Sequence, residues 1–396
     1  MHVLIVGGGG REHAIAWALS KSSKVDHLSC APGNGGIAAL AQCVDIPATD
    51  VDAMVAWACE NSVDFVVVAP DDPLALGMVD TLEAAGIPAF GPRADAAIIE
   101  ASKSFSKRLM EKYHIPTATY QTFTDLEPAL AYIEAQDAVR SMMSGHKFGD
   151  AGARVVIEEC MTGPELTVLA FCDGEHLVPM PSSQDHKRAF DGNQGPNTGG
   201  MGAISPSPNY TPEVAKRCME EIFLPTVAAL RAEGRPFHGV IYFGLMLTPD
   251  GPKVVEYNAR FGDPECQAVL SLLDSDLMDI FLACRNGTLD QVDVRWKDGA
   301  SCCLVLASGG YPGSYGKGYP ITGLEEAGQS AVVFHAGTKL GENGSVLTSG
   351  GRVLGVTATG PELNAAIDGA YAAASHIHFQ DMFFRSDIGR VWNPNA

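Results

Sequence analysis

His2-Val-Leu-Ile-Val6 runs straight into Gly7-Gly-Gly-Gly10-Arg11-Glu12-His13-Ala14. A short apolar run, a knot of glycines and then the helix-like stretch Glu12–Ser20 read as a strand, a tight turn and a crossover helix. The rhythm repeats outward through His27–Cys30, Ala53–Glu60, Phe65–Val68, Val79–Ala85 and Pro88–Phe90. Such alternation predicts an α/β fold with a parallel, Rossmann-like sheet. Ligands of these sheets gather beyond the carboxyl ends of the strands, where the sequence places Gly7–Arg11, Ala31–Gly36, Pro70–Leu74 and Gly91–Arg93. All four loops are expected to face one crevice.

Glycines let the backbone of the opening loop approach an anion, and the helix start offers amides to a phosphate. It is a poor dinucleotide fingerprint. The third glycine of GxGxxG, counted from Gly7, falls at Glu12, and the second strand ends in Ala31-Pro32-Gly33 where a ribose-binding acid belongs. A structural turn and a monophosphate site both stay open.

A second region follows. It begins with a helix near Ser102–Tyr113 and a strand-like Thr117–Thr122. Arg154–Glu158 and Leu166–Phe171 read as neighbouring strands, Tyr210–Glu233 as mostly helical. Gly239–Leu247 and Pro252–Tyr257 read as a hairpin closed by Pro249-Asp250-Gly251. A third region, from about Ala300, has short β runs, turns at Gly309–Gly318 and Gly341–Ser345, and a last helix at Glu362–Ser375. The expected division is residues 1–101, 102–298 and 299–396.

Length and charge narrow the function. A chain of 396 residues exceeds a single core. A net charge of −20 repels nucleic acid and anionic lipid, so phosphorylated small molecules must be held by local donors. Ten cysteines show no CxxC or Cys/His spacing of a zinc site or a disulfide framework, which suits a reducing cytoplasm. No secretory leader is read at the start, and no apolar run reaches the roughly 18 residues of a membrane span.

The strongest local signal is Val254-Val-Glu256-Tyr-Asn258-Ala-Arg260-Phe-Gly-Asp263-Pro-Glu265. On an extended strand Glu256, Asn258 and Arg260 share a face. Oxygen ligands from Glu256 and Asn258 suit Mg²⁺ beside nucleotide phosphates, and Arg260 can clamp developing phosphoryl charge. Gly195-Pro-Asn197-Thr198-Gly199-Gly200-Met-Gly-Ala203 reads as a backbone-donor loop without a Walker lysine, preceded by Ser183-Gln-Asp185-His-Lys187-Arg188. Glu158-Glu159-Cys160-Met161, followed by Glu165, can form a hinge that grips adenine and ribose; a surface turn is the plainer reading. No nucleophilic triad is present in the pattern, so covalent enzyme catalysis is not expected.

Taken in order, GGGGREHA (7–14), APGNGG (31–36), SQDHKR (183–188), GPNTGGMGA (195–203), RFGDPE (260–265) and HAGTK (335–339) resemble the phosphoribosylamine–glycine ligase family across nearly the whole chain. The resemblance implies an ATP-grasp fold: a pre-ATP-grasp domain, a two-lobed nucleotide clamp and a small β-rich C-terminal domain. It implies ATP-dependent ligation of glycine to 5-phosphoribosylamine through glycyl phosphate in purine biosynthesis, with Mg²⁺ or Mn²⁺, in a cytoplasmic monomer or small homo-oligomer. Carried over by motif, Glu256 and Asn258 hold the metal. Arg260, Lys187 and Asp185 are catalytic, and Lys103, Glu158, Glu159, Met161, Glu165 and Asn258 bind nucleotide. Gly8, Gly9, Gly10 and Arg11, with Gly350, Gly351 and Arg352, face the ribose phosphate, and Asn34 is among the substrate-binding residues. Asp185, Asn197, Thr198, Gly199, Gly200 and Arg260 face glycine and phosphates. Another ATP-grasp carboxylate–amine ligase and a catalytically silent homologue are the competing readings.

The family pattern breaks once. After a helix like Glu127–Gln136 the family continues with a strand bearing a second nucleotide lysine and a glycine-rich lid, about thirty residues in all. Here Gln136 runs into Asp137-Ala-Val-Arg140, which matches the helix beyond that lid. Either the segment is truly deleted, or the sequence has been closed up over a mobile stretch; lid mobility favours the second. A true deletion should severely impair ATP turnover.

Overall fold

A computed structural model describes residues 1–133, 136–143 and 154–390. The first hundred residues form a five-stranded parallel sheet of β1 (His2–Gly7), β2 (His27–Pro32), β3 (Gln42–Cys43), β4 (Phe65–Val68) and β5 (Ala89–Phe90), in the order β3-β2-β1-β4-β5. The uninterrupted apolar run of β1 has a physical reason. Leu4 and Val6 point into one core with Val66, Val68, Met54 and Met78, while Val3 and Ile5 point into another with Phe65, Val67 and Phe281. Both faces are covered, so no polar residue can alternate in. Each such side chain, wholly buried, contributes roughly 1.5–3 kcal/mol.

The expected hairpin forms: His238–Thr248 pairs antiparallel with Gly251–Asn258, and Thr248 faces Gly251 across the turn. Glu165–Asp173 lies on the other side of His238–Thr248, with Leu177–Pro179 at the edge. Two expectations are corrected here. Arg154–Glu158 and Leu166–Phe171 are not neighbours, because Val155–Glu158 pairs with Tyr120–Phe123 in a separate two-stranded sheet. Both edges of Glu165–Asp173 are already taken. The strand predicted at Thr117–Thr122 is instead Tyr120–Phe123, and Thr117 makes a single bridge to Val254.

The helix predicted from Glu127 spans Leu126–Tyr132, with Ile133 extended at its end. Gln136 and Asp137 are successive residues of the helix Gln136–Met143. The C-terminal sheet is built from Ala300–Ala307, Arg352–Gly360 and Val332–His335, and it also takes in Gly202–Ser205 and Gln184–Asp185. Strand pairing therefore crosses the expected boundary at 298/299: the start of SQDHKR and the end of GPNTGGMGA join the C-terminal sheet, while Arg188–Phe190 and Gln194–Asn197 pair in a two-stranded sheet of their own. Among the described residues no helix is long and apolar enough to cross a membrane.

Candidate active site

The strand Gly251–Asn258 changes phase as it reaches the site. A bulge opposite Gly244 and Leu245 inserts Val255, so Val254 and Tyr257 are both buried although they are three residues apart. The extra residue turns Glu256 outward, where plain alternation from Val254 would have buried it. Glu256, Asn258 and Arg260 then line one cavity of about 300 Å³ with Arg11, Asp71, Asp185, Lys187, Thr198, Gly199, Tyr242, Asp263, Glu265 and Arg352. Four cations thus meet five carboxylates. In an acidic chain this is the local supply of donors that phosphates and a carboxylate substrate require.

Each cation is held by a named partner. Arg260 Nη2 pairs with Glu100 at 2.9 Å and reaches Asn258 Oδ1 at 3.3 Å; its Nη1 donates to the Phe261 carbonyl at 3.1 Å. Arg352 Nη1 donates to the carbonyls of Gly199 and Asp263, both at 2.8 Å, pinning the glycine loop to the RFGDPE turn. Arg11 Nε pairs with Glu12 at 2.6 Å, and Lys187 Nζ donates to Asp185 Oδ2 at 2.8 Å. Burial works against the charge of Lys187, but Asp185, Glu265 and Glu256 outweigh it and raise its pKa. Burial also works against Asp263, yet Arg352, Arg11 and Arg260 hold its pKa below the usual range.

Glu265 is the exception. It is 3% exposed, and its pKa is pushed up to about 7 by burial and then by Asp185, with Lys187 opposing. Its Oε1 accepts from the Tyr242 hydroxyl at 2.9 Å, which in turn accepts from Thr167 at 2.9 Å.

A second cavity of about 440 Å³ adjoins through Asp185 and Lys187 and is lined by Glu165, Asn197, Arg188, Asn193 and Arg385. Lys103 lies in a different cluster: its Nζ meets Glu158 at 2.5 Å, and the fully buried Lys107 pairs with the same carboxylate. Burial opposes the charge on Glu158, and the two lysines overcome it. Glu159 accepts from the Thr119 amide and hydroxyl, both at 3.2 Å. Gly8, Gly9, Gly10, Asn34, Met161, Gly200, Gly350 and Gly351 line neither cavity.

Several of these glycines are closely packed. A Cβ on Gly8 would lie 2.4 Å from the Gly33 carbonyl, one on Gly10 2.4 Å from Gln267 Nε2, and one on Gly351 2.3 Å from the Tyr311 ring. Of the four loops expected at one crevice, the first and third supply Arg11 and Asp71, and Ala31–Gly36 buttresses the first. Gly91–Arg93 does not join them, because Arg93 turns to the surface and pairs with Glu83. Asp263 and Glu265 lie inside the RFGDPE motif, Lys107 one helical turn beyond Lys103, and Asp71 in the stretch Pro70–Leu74, so each had a local signal. Glu100 and Tyr242 had none.

Glu256 and Asn258 offer a carboxylate and an amide oxygen to one cavity, the hard donor set that a divalent cation takes. A biotin carboxylase domain from Hydrogenobacter thermophilus, solved with MgADP, ADP and bicarbonate, shares the architecture with a TM-score of 0.73 at 14% identity, over 96% of this chain and 91% of that one. The fold is that of the ATP-grasp enzymes. Family models for the N domain, the ATP-grasp (A) domain and the C domain of phosphoribosylglycinamide synthetase match residues 1–100, 101–138 with 133–266, and 301–391.

Phosphoribosylamine–glycine ligases of Escherichia coli and Vibrio cholerae are 47% and 46% identical, each covering 98% of both chains. The Thermotoga maritima ligase structure superposes with a TM-score of 0.84 at 29% identity, over 98% of this chain and 100% of that one. The chain belongs to the phosphoribosylglycinamide synthetase family and is an ATP-dependent ligase. The A-domain match comes in two pieces that meet at 133–138, and the E. coli alignment runs over 420 positions against 396 residues here.

Proposed function

We propose that this chain joins glycine to 5-phosphoribosylamine, and that Arg260, Lys187 and Asp185 carry the reacting groups. The observation that supports this is the convergence of Arg11, Lys187, Arg260 and Arg352 with Glu256 and Asn258 in one cavity. Bound ATP supplies the phosphoryl group that turns the glycine carboxylate into glycyl phosphate, from which the amine displaces phosphate. A magnesium or manganese ion would sit on Glu256 and Asn258 and offset phosphate charge.

The remaining work is positioning and charge stabilisation by the chain itself. Arg260, held by Glu100 and lining the cavity, is assigned to the transferring group. Lys187, kept charged by Asp185, Glu265 and Glu256, holds the carboxylate. The start of the helix Gly10–Leu19, where Glu12 Oε2 accepts the Gly9 amide at 2.5 Å, is assigned to the ribose phosphate. Lys103, Glu158, Glu159, Met161 and Glu165 are assigned to the nucleotide, and the enzyme to a cytoplasm.

The test is ADP release from MgATP with glycine and freshly generated phosphoribosylamine, each omitted in turn. Dependence on both supports the reading; release with another acid or amine sinks the substrate assignment. An intact mass of 41.7 kDa with no ADP release would identify a silent homologue joined at 136/137.

A further inference from the structure

The HAGTK motif at 335–339 contributes nothing to the cavity, yet it is wired to the opening loop. The backbone N–H of His335 donates to His13 Nδ1 at 2.8 Å, and the His335 carbonyl accepts from Asn34 Nδ2 at 2.8 Å. The same Asn34 nitrogen reaches the Gly8 carbonyl at 2.9 Å, and its Oδ1 accepts from the amides of Gly36 and Ile37, both at 2.9 Å. Every polar atom of that side chain is committed to holding loops. The Thr338 carbonyl accepts from the Gly35 amide at 3.3 Å, and its hydroxyl meets His335 Nδ1 at 3.1 Å.

Gly36 threads between the two imidazoles. A Cβ there would lie 2.5 Å from His13 Cε1 and 2.4 Å from His335 Cγ. A backbone N–H can only donate, so His13 Nδ1 must be the unprotonated nitrogen of a neutral ring. Burial suits this, lowering the pKa of His13 to about 3, with the His335 ring adding to the effect, and that of His335 to about 4.

We propose that His13, Asn34 and the segment His335–Thr338 are a positioning clasp, by which the C-terminal region fixes the Gly7–Gly10 loop in the shape that receives the substrate's ribose phosphate. The inference rests on the reading of that loop as the phosphate site. None of these side chains touches the reacting atoms; they act through the loop backbone.

The acceptor atom gives a specific test. Asparagine at position 13 places its amide oxygen where Nδ1 lies, whereas glutamine places it one bond further on and leucine has none. Ribose 5-phosphate, a stable stand-in for the amine, is titrated calorimetrically into the full chain and into His13→Asn, His13→Gln and His13→Leu. Leaving the His335 N–H buried and unpaired should weaken binding roughly tenfold in the glutamine and leucine variants, and raise the phosphoribosylamine KM in proportion. His13→Asn should stay close to wild type, and the KM values for ATP and glycine should not move.

Equal weakening in all three variants, or none in any, overturns the clasp. Glutamine and asparagine give the comparison even if the leucine variant fails to fold. A wild-type chain that does not bind ribose 5-phosphate overturns the phosphate-loop reading and the clasp with it. Binding without phosphoribosylamine-dependent ADP release overturns only the substrate assignment.

Discussion

Glu265 carries its carboxyl in a place that opposes folding, and replacing it with glutamine should separate stability from activity. The side chain is 3% exposed, its Oε1 accepts a hydrogen bond from the Tyr242 hydroxyl at 2.9 Å, and its pKa is pushed up to about 7 against 4.5 for an ordinary glutamate. A carboxyl that binds its proton more tightly when folded is stabilised by acid. The cost of holding it charged is full above pH 7 and vanishes as pH falls from 7 toward 4.5. Taken whole, and with the attraction of Lys187 already counted in the shifted pKa, that difference is up to about 3 kcal/mol at pH 8 in favour of Glu265→Gln.

Glutamine keeps an acceptor for Tyr242, so no hydrogen bond is lost. Urea denaturation at pH 8 and pH 5 measures the effect: the variant should be more stable than wild type at pH 8 and nearly equal at pH 5. Its kcat should fall on the order of a hundredfold, since a fixed charge beside Lys187 is gone. A variant less stable than wild type at pH 8, or one that keeps the wild-type pH slope, would falsify the account.

Arg260→Lys should lower kcat by roughly 10²–10³-fold with a smaller change in the ATP KM, because an ammonium cannot hold Glu100 and the Phe261 carbonyl while still facing the cavity; steady-state kinetics with kcat near wild type would refute that role. Asp263→Asn should flatten the acid limb of stability: the carboxylate is held below its usual pKa, so its contribution is present above about pH 4 and lost as pH falls through the folded value. Acid titration followed by circular dichroism checks this, and an unchanged acid midpoint would count against the Arg352, Arg11 and Arg260 cage.

The sequence by itself determined the parts whose signals are local. The run His2–Val6 had to be a strand covered on both faces, and the alternation after it had to wind a parallel sheet. The turn at Pro249–Gly251 had to close a hairpin. The acid, amide and base at Glu256, Asn258 and Arg260 were readable as one face, although the bulge at Val255 that turns this face outward was not. Its signal lies in the opposite strand, at Gly244 and Leu245.

Tertiary structure alone decided which distant groups complete the site. Glu100 sits in a helix far from Arg260 in sequence, and Tyr242 is one buried aromatic among several on its strand; only helix packing brings Glu100 to Arg260 and only strand pairing brings Tyr242 to the cavity. The same holds for the partner of Val155–Glu158, which lies in Tyr120–Phe123, and for Gly202–Ser205, which joins the C-terminal sheet. Strand order is set by long-range hydrogen bonding and by which apolar faces can be covered together, and periodicity along one strand carries neither. The role of His13 belongs to this second class, since its partner is a backbone N–H 322 residues away.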